Sequence, residues 1–357
     1  MAKAGIWIRN GRIWDGERFL RGDLAIAEGR IAALGDVGDF KAEYIYDASG
    51  KTVLPGLVDL HVHLKDVSSD AYGMQPEMAC LPFGVTAAVD GGACQGSARV
   101  LAHCGVKTAV FVYAGIRDDH AVLDISERML EAYGEKAIGV KTYCDTSSSD
   151  HIRTIRPLQE VVAFAEKHGL KVMVHCNHSP MPMQEILETL RPGDILTHAY
   201  HGGANGADAD QFASLMAAKK RGVIIDSGNA GHVHTDFDVL RQAVEAGALP
   251  NTISTDITRL SAYMRGGLYG LPMWMSFFRQ LGVEEAEIFR AVTSAAGDAA
   301  GFPEWGRLKV GGPADVAVLD ESGEGYALTD AAGHPFTGDH SYRCRLTVAD
   351  GQIVYRC

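Results

Sequence analysis

Six residues of this 357-residue chain have the types and settings that do chemistry: His61, His63, Lys141, His175, His198 and Asp256. His61 and His63 close the run Leu54-Pro55-Gly56-Leu57-Val58-Asp59-Leu60-His61-Val62-His63, whose apolar and β-branched residues behind Pro-Gly predict a strand. Alternate residues of a strand face one side, so the two imidazoles project together while Val62 points away. Paired imidazoles on a rigid element suit a divalent cation of the zinc, manganese or nickel group. The pair by itself also fits two ordinary core histidines. The other four residues end apolar stretches: Ile138-Gly139-Val140-Lys141, Val172-Met173-Val174-His175, Ile195-Leu196-Thr197-His198 and Ile253-Ser254-Thr255-Asp256. A buried charge or imidazole is costly unless paired or coordinated. Six such residues meeting at one place favour a metal centre over chance.

The elements that must position them alternate. Candidate strands are 57–63, 84–90, 106–114, 137–143, 171–175, 194–198, 222–226 and 251–256, eight in all. Between them, 123–133, 158–168, 183–190, 208–220 and 237–246 place apolar residues at helical spacing, and 274–281 and 284–296 do so after the eighth strand. Eight strand–helix units predict an α/β fold, a (β/α)₈ TIM barrel, whose site lies at the carboxyl ends of the strands; a doubly wound open sheet is the alternative. The first fifty residues read as short strands with turn signals, Asn10-Gly11 marking a hairpin and Glu28-Gly29 a second turn. β character returns in 314–319 and 345–355, with Asp350-Gly351 as another tight turn. We therefore expect residues 1–54 and 306–357 to form a small β-sandwich-like domain, with the barrel, 55–305, inserted between them.

Composition narrows the partners. Hydrophobic residues make up 46% and charged residues 22%, ordinary values for a sizeable core. A net charge of −12 argues against nucleic acid. Seven scattered cysteines form no C-x-x-C pair, which favours reduced thiols and a cytoplasmic location. No apolar run approaches the ~20 residues of a membrane helix, and the N-terminus shows no signal-peptide pattern. We expect a small-molecule substrate and no nucleic-acid or membrane partner; homo-oligomerisation stays open.

With these motifs in place, the sequence resembles the amidohydrolase superfamily, from Arg9-Asn10-Gly11-Arg12-Ile13 to Gly312-Pro313-Ala314-Asp315-Val316-Ala317-Val318-Leu319. Within it, the strand motifs above and Gly193-Asp194-Ile195-Leu196-Thr197-His198 resemble the dihydroorotase-like amidohydrolase/deacetylase group. The resemblance implies a binuclear centre of two divalent metal ions, zinc by expectation. His61, His63 and Asp256 would hold one ion, His175 and His198 the other. Lys141, carbamylated by carbon dioxide, would bridge them. Charge makes the same demand, since a free lysine, with a reference pKa near ~10.4, would face two dications as a cation. The implied mechanism is attack of a metal-bound hydroxide on a polarised carbonyl, with Asp256 relaying the proton to the leaving group.

Loop histidines His178, His201, His232 and His234 read as surface or supporting residues, with His232 singled out as a substrate contact. Arg259, three residues past Asp256, is the expected grip on a substrate carboxylate, or else part of a loop salt bridge. Cys144 and Cys176 read as packing thiols, and the methionines around the mouth as packing or pocket lining. The expected activity is hydrolysis of an amide or ester bond in a small N- or O-acylated, carboxylated metabolite. The alternatives are cyclic amide hydrolysis of the dihydroorotase or hydantoinase type and, remotely, a non-catalytic scaffold.

Overall fold

Strands that are buried on both faces read as continuous apolar runs, and this chain supplies seven of them in one parallel sheet. The computed structural model describes residues 5–64, 73–93, 101, 103–146, 152–230, 233–264 and 270–357. We number the barrel strands β1 (Leu57–Val62), β2 (Val85–Ala93), β3 (Lys107–Tyr113), β4 (Ala137–Tyr143), β5 (Lys171–His175), β6 (Ile195–Thr197) and β7 (Ile224–Asp226). They pair in sequence order, each parallel to the last. The register sets Tyr143 beside His175, His175 beside Thr197, and Thr197 beside Asp226. Polar groups from neighbouring strands therefore reach the carboxyl end at one level.

The eighth expected strand is not a strand. Residues 252–257 form isolated bridges rather than a ladder with β7 and β1, Asp226 with Thr252 and Val62 with Ile257. The cause is competition from side chains for the ladder's hydrogen bonds. The amide of Ser254 donates to Ser227 Oγ, that of Thr255 to Asp59 Oδ1, and that of Ile257 to Thr255 Oγ1. Asp256 sits in the left-handed region at φ 48°. The barrel still closes here, since Asp256 N donates to His61 O at 2.7 Å and His63 N to Ile257 O at 3.1 Å.

Helices cover the sheet and bury one face each. Arg156–Lys167, with Pro157 in its first turn, buries Leu158, Val161, Phe164 and Ala165. Phe237–Glu245 begins at Asp236, whose carboxylate accepts from the amides of Asp238 and Val239. Two expected helices are broken. Within 208–220, Gln211 and Phe212 are left-handed, so a 3₁₀ turn at Ala207–Asp210 precedes a helix at Ala213–Arg221. Burial of Phe212 and capture of the Ser214 amide by Asp210 divide the segment. Within 284–296, helices Glu285–Ala291 and Ser294–Ala300 are separated at Thr293, whose hydroxyl meets Trp14 Nε1 at 3.3 Å.

The chain ends build two further sheets. Residues Arg30–Gly35, Asp23–Ala27, Ile6–Arg9 and Tyr44–Asp47 form one, in that order. Gln352–Arg356, Ser341–Ala349, Val316–Ser322, Thr52–Pro55, Arg12–Trp14 and Phe19–Leu20 form the other, which joins strands from both ends of the sequence. Ile6, Ile8, Ile13, Leu24, Val53, Val316, Val318 and Leu346 belong to one core cluster between them. Asn10-Gly11 makes no hairpin. Here the chain crosses from the first sheet to the second, and Asn10 is tied to the carboxylates of Asp23 and Asp47. Gly11 is required because a Cβ would lie 2.5 Å from Val53 Cγ2. No helix among the described residues is long and apolar enough to cross a membrane.

Trp14 joins this β layer to the barrel. It is 1% exposed and packs edge-on against Phe19 and Phe289. Trp14→Ala should cost roughly 3–5 kcal/mol, the usual range for deleting a buried large aromatic, read as a lowered urea midpoint. An unchanged midpoint would mean that the two layers do not depend on this contact.

Candidate metal centre

The barrel brings all six expected residues together at its carboxyl end. Four of them, His61, Lys141, His198 and Asp256, are buried, His63 and His175 are partly exposed, and the geometry gathers the ligand atoms into two triplets. His61, His63 and Asp256 offer ligand atoms within 4.8 Å of one another, and so do His175, His198 and His234. Asp256 stands between the triplets. Its Oδ1 is 3.0 Å from His63 Nε2 and 3.4 Å from His61 Nε2, and its Oδ2 is 3.8 Å from His198 Nε2 and 3.7 Å from His234 Nε2. Lys141 Nζ lies 2.9 Å from His61 Nε2 and 3.3 Å from Met173 Sδ.

A surrounding set of groups fixes which nitrogen of each ring carries the proton. His61 Nδ1 is 3.1 Å from Thr197 Oγ1, whose own proton goes to Asp226 Oδ2 at 2.8 Å. Asp226 also accepts from Thr252 Oγ1 and Ser254 Oγ, each at 2.7 Å. The Thr197 oxygen is therefore an acceptor toward His61, which holds its proton on Nδ1 and keeps the Nε2 lone pair for the cluster. His198 does the same through the carbonyl of Gly228, 2.6 Å from its Nδ1. Its Nε2 is buried without a hydrogen-bond partner. Asp145, buried two residues past β4, faces His175 Nε2 at 3.2 Å. Asp59 accepts from Thr255 Oγ1 at 2.6 Å and so ties β1 to the closing segment.

Space for the rings is made by glycine. A Cβ on Gly91 would fall 2.1 Å from His61 Cδ2, and one on Gly228 2.6 Å from His198 Nδ1. His198 itself is left-handed at φ 67°, as Asp256 is at φ 48°. Two non-glycine residues held in this costly region at the heart of the site mark a backbone shaped by function.

The electrostatics suit a cation delivered as a metal rather than as protons. Burial, then the neighbouring Lys141, pushes His61 down to about 4. Burial and His175 push His234 down to about 3. Burial and the surrounding imidazoles hold His198 well below the ordinary value. Burial lowers Lys141 to about 8 against the pull of Asp256, Asp226 and Asp90. Burial alone would raise the Asp256 carboxyl, but electrostatic attraction to His61 and contact with His63 outweigh it and hold the group below the usual carboxylate range. Neutral imidazoles, an ionised carboxylate and a lone pair left over at His198 Nε2 are the donor set that a divalent cation requires. The residues fit such an ion.

His234 was read as a supporting loop residue; the structure places its ring in the second triplet, 4.2 Å from that of His198 and 4.8 Å from that of His175, centre to centre. The available signal was the H-x-H spacing of His232 and His234, which lies beyond the strand and so has no period to orient it. His232 falls outside the described residues. Arg259 is exposed on the turn after Asp256. Asp119 holds a loop through Thr154 Oγ1 and the amides of Arg153 and Thr154. Cys144 and Cys176 are buried packing thiols, and burial pushes Cys176 up to about 12.

A parallel barrel with ligand triplets and a buried lysine at its carboxyl mouth defines the class of metal-dependent hydrolase barrels. Residues 52–354 match the amidohydrolase family, and the chain belongs to it. It is 28% identical to a deacetylase of Enterococcus faecalis, over 97% of this chain and 98% of that one. It is 27% identical to a deacetylase of Agrobacterium fabrum, over 86% of this chain and 80% of that one. Among solved structures, one of a dihydroorotase superposes with a TM-score of 0.87 at 24% identity over 99% of both chains. The protein is thus an enzyme, a metal-dependent hydrolase of the amidohydrolase family.

The depressed imidazoles set a direction for acid stability. His61, His198, His201 and His234 all have folded values below their unfolded 6.5, so the unfolded chain binds more protons than the folded one as pH falls below that value. Asp59, pushed up to about 7 by burial, acts the other way. So do the exposed His334 and His340, held above the ordinary value by Asp330 and Asp339, but only as pH nears 6.5 and above; over the window below it the four depressed rings decide the sign. Chelator-treated protein should gain stability as pH rises from about 4 to 6.5, read as a rising Tm. A Tm that is flat or falls across that window would show that these rings are not held neutral.

Proposed function

We propose that the enzyme removes an acyl group, acetyl first, from a small N- or O-acylated metabolite bearing a carboxylate. The observation carrying this reading is similarity to two deacetylases over 80% or more of each chain, joined to a mouth that gathers two triplets of candidate ligands. The reaction is RCO–X–R′ + H₂O → RCOO⁻ + H–X–R′ + H⁺ at neutral pH, with X an oxygen or, where the released amine takes up the proton, a nitrogen. In this reading His61, His63 and Asp256 hold one divalent ion, and His175 and His198 hold another, zinc in the native enzyme. Such ions polarise a carbonyl and acidify water toward neutral pH.

The chain's own residues do the rest. Asp256, ionised and touching both triplets, takes the proton of the attacking water and hands it to the leaving atom. Lys141, with a value lowered to about 8, keeps an uncharged fraction at neutral pH that can add carbon dioxide. The carbamate so formed, Lys–NH–COO⁻ with release of H⁺, converts a repelled cation into an anion with two oxygens for two ions. Arg259 and His232 are the proposed substrate contacts, Arg259 because its guanidinium matches a carboxylate in two-point fashion. We place catalysis in the barrel, 55–305, and support in the β layer from 1–54 and 306–357. Free thiols at the six described cysteines support a reducing, cytoplasmic setting.

A panel of N-acetyl amino acids and O-acetyl hydroxy acids, run against cyclic ureides, tests the substrate class. We expect turnover of the acylated acids, with Arg259→Met raising KM for an acid far more than for its amide. Turnover confined to cyclic ureides would replace this reading by cyclic amide hydrolysis.

Lys141 is tested through metal content. Lys141→Ala should bind fewer than two ions per chain and lose orders of magnitude in rate, with partial recovery in formate or acetate. Lys141→Arg should not recover, because a guanidinium stays cationic. Near-normal metal content and rate in Lys141→Arg would remove the bridging role.

A further inference from the structure

We propose that His234 is a third imidazole ligand of the second cation, so that this site is built from His175, His198 and His234. The inference rests on the two-ion reading above and adds a ligand that it did not contain. Its first support is distance. Ligand atoms of the three rings lie within 4.8 Å of one another, the same closeness found in the His61, His63 and Asp256 triplet. His234 crosses the ring of His175 at 89° and that of His198 at 41°. Rings set at such different angles are not a stack, and they can present nitrogens to a common point.

The second support is an account of the nitrogens. The carboxamide of Asn177 lies 2.8 Å from His234 Nδ1. Asn177 Oδ1 is buried without a hydrogen-bond partner. Oxygen and nitrogen of a carboxamide exchange places by a half-turn. With Oδ1 turned toward the ring it accepts Nδ1–H, the orphaned acceptor is satisfied, and Nε2 is left with its lone pair. Asp256 Oδ2, 3.7 Å from that Nε2, is too far to supply a hydrogen bond. The arrangement repeats the one at His198, whose Nδ1 meets the Gly228 carbonyl while Nε2 stays unpartnered.

The third support is the backbone. A ligand has to be held, and the segment carrying His234 is fixed on both sides. Asp236 N donates to Tyr200 O at 2.8 Å, and Thr235 Oγ1 lies 3.2 Å from Asn229 Oδ1. From the C-terminal β layer, Ala331 N donates to Thr235 O at 3.1 Å, and Asp330 Oδ2 accepts from Phe237 N at 3.0 Å. Asp330 is 1% exposed. The ring is thus set by a strap that reaches from the far end of the chain.

Metal binding, separate from turnover, tests this. Full-length protein is stripped with chelator, reloaded with Zn²⁺, and titrated against a competing chelator. The wild type should take up two equivalents. His234→Ala should keep one equivalent at its original affinity and bind the second more than ~100-fold more weakly. That exceeds the 10–100-fold expected of Asn177→Ala, since the lower range is what losing a group behind a ligand costs. A second measurement needs no variant: with ¹¹³Cd and ¹⁵N-histidine in the wild type, one cadmium should couple to three imidazole nitrogens and the other to two. Two equivalents at wild-type affinity in His234→Ala, or two nitrogens on each cadmium, would overturn the ligand role of His234 and leave the two-ion reading standing. A wild type that takes up no second equivalent would overturn that reading itself.

Discussion

The burial of one full negative charge, Asp256, among five histidines and a lysine is the constraint from which the rest of the mouth follows. An ionised carboxylate out of water needs partners on both oxygens. Asp256 turns one oxygen to His61 and His63 and the other to His198 and His234, and its Oδ1 has no hydrogen-bond partner, which leaves the carboxylate for a cation. To face both ways, the residue leaves the strand conformation for the left-handed region, and the segment around it leaves the ladder. Ser227, Ser254, Thr255 and Asp59 then take over the amides that strand pairing would have satisfied. The run of hydroxyl residues before Asp256 is therefore a substitute for a β-ladder, built where a regular strand would point the carboxylate to only one side.

This explains which parts of the molecule the sequence made legible. His61, Lys141 and His175 sit on strands, and His63 one residue past one, where the two-residue period shows which side chains share a face, and their setting in apolar runs singled them out. His198 and Asp256 lie just past such runs and were found by the same contrast of polar residue against apolar run. The periodicity is silent where side chains rather than ladders direct the backbone. The eighth strand, the break at Thr293 and the break at Gln211-Phe212 are all of this kind. Asn10-Gly11 misled for another reason. Its turn signal is local, and the crossing between sheets that it serves is decided by Asp23, Asp47 and the close approach of Val53. His234 escaped because its position depends on Tyr200 and Asp330, distant in sequence, and on the nearby Asn229, none of them in a repeating pattern.

The β layer has a part in this beyond covering the barrel's end. It shares Trp14 with the helix before Thr293, and its Tyr326–Thr329 and Pro335–Gly338 hairpin carries Asp330 to the start of the helix that follows His234. His334 closes the same carboxylate at 2.9 Å. A carboxylate that accepts three amides and an imidazole is a rigid clamp. The C-terminal segment thus shapes the loop after β7, although it is more than ninety residues away in sequence.

The groups behind the rings are graded. His61 is backed by Asp226 through Thr197, and His175 faces Asp145. His198 and His234 are backed by neutral amides, the Gly228 carbonyl and Asn177. Carboxylates behind a ring make its nitrogen a stronger donor and bring negative charge near a cation without occupying a coordination position. In the two-ion reading, charge held one layer back would add to that of Asp256 without taking up a coordination position. Placing charge one layer back is how a buried site holds dications firmly and still leaves them room to act.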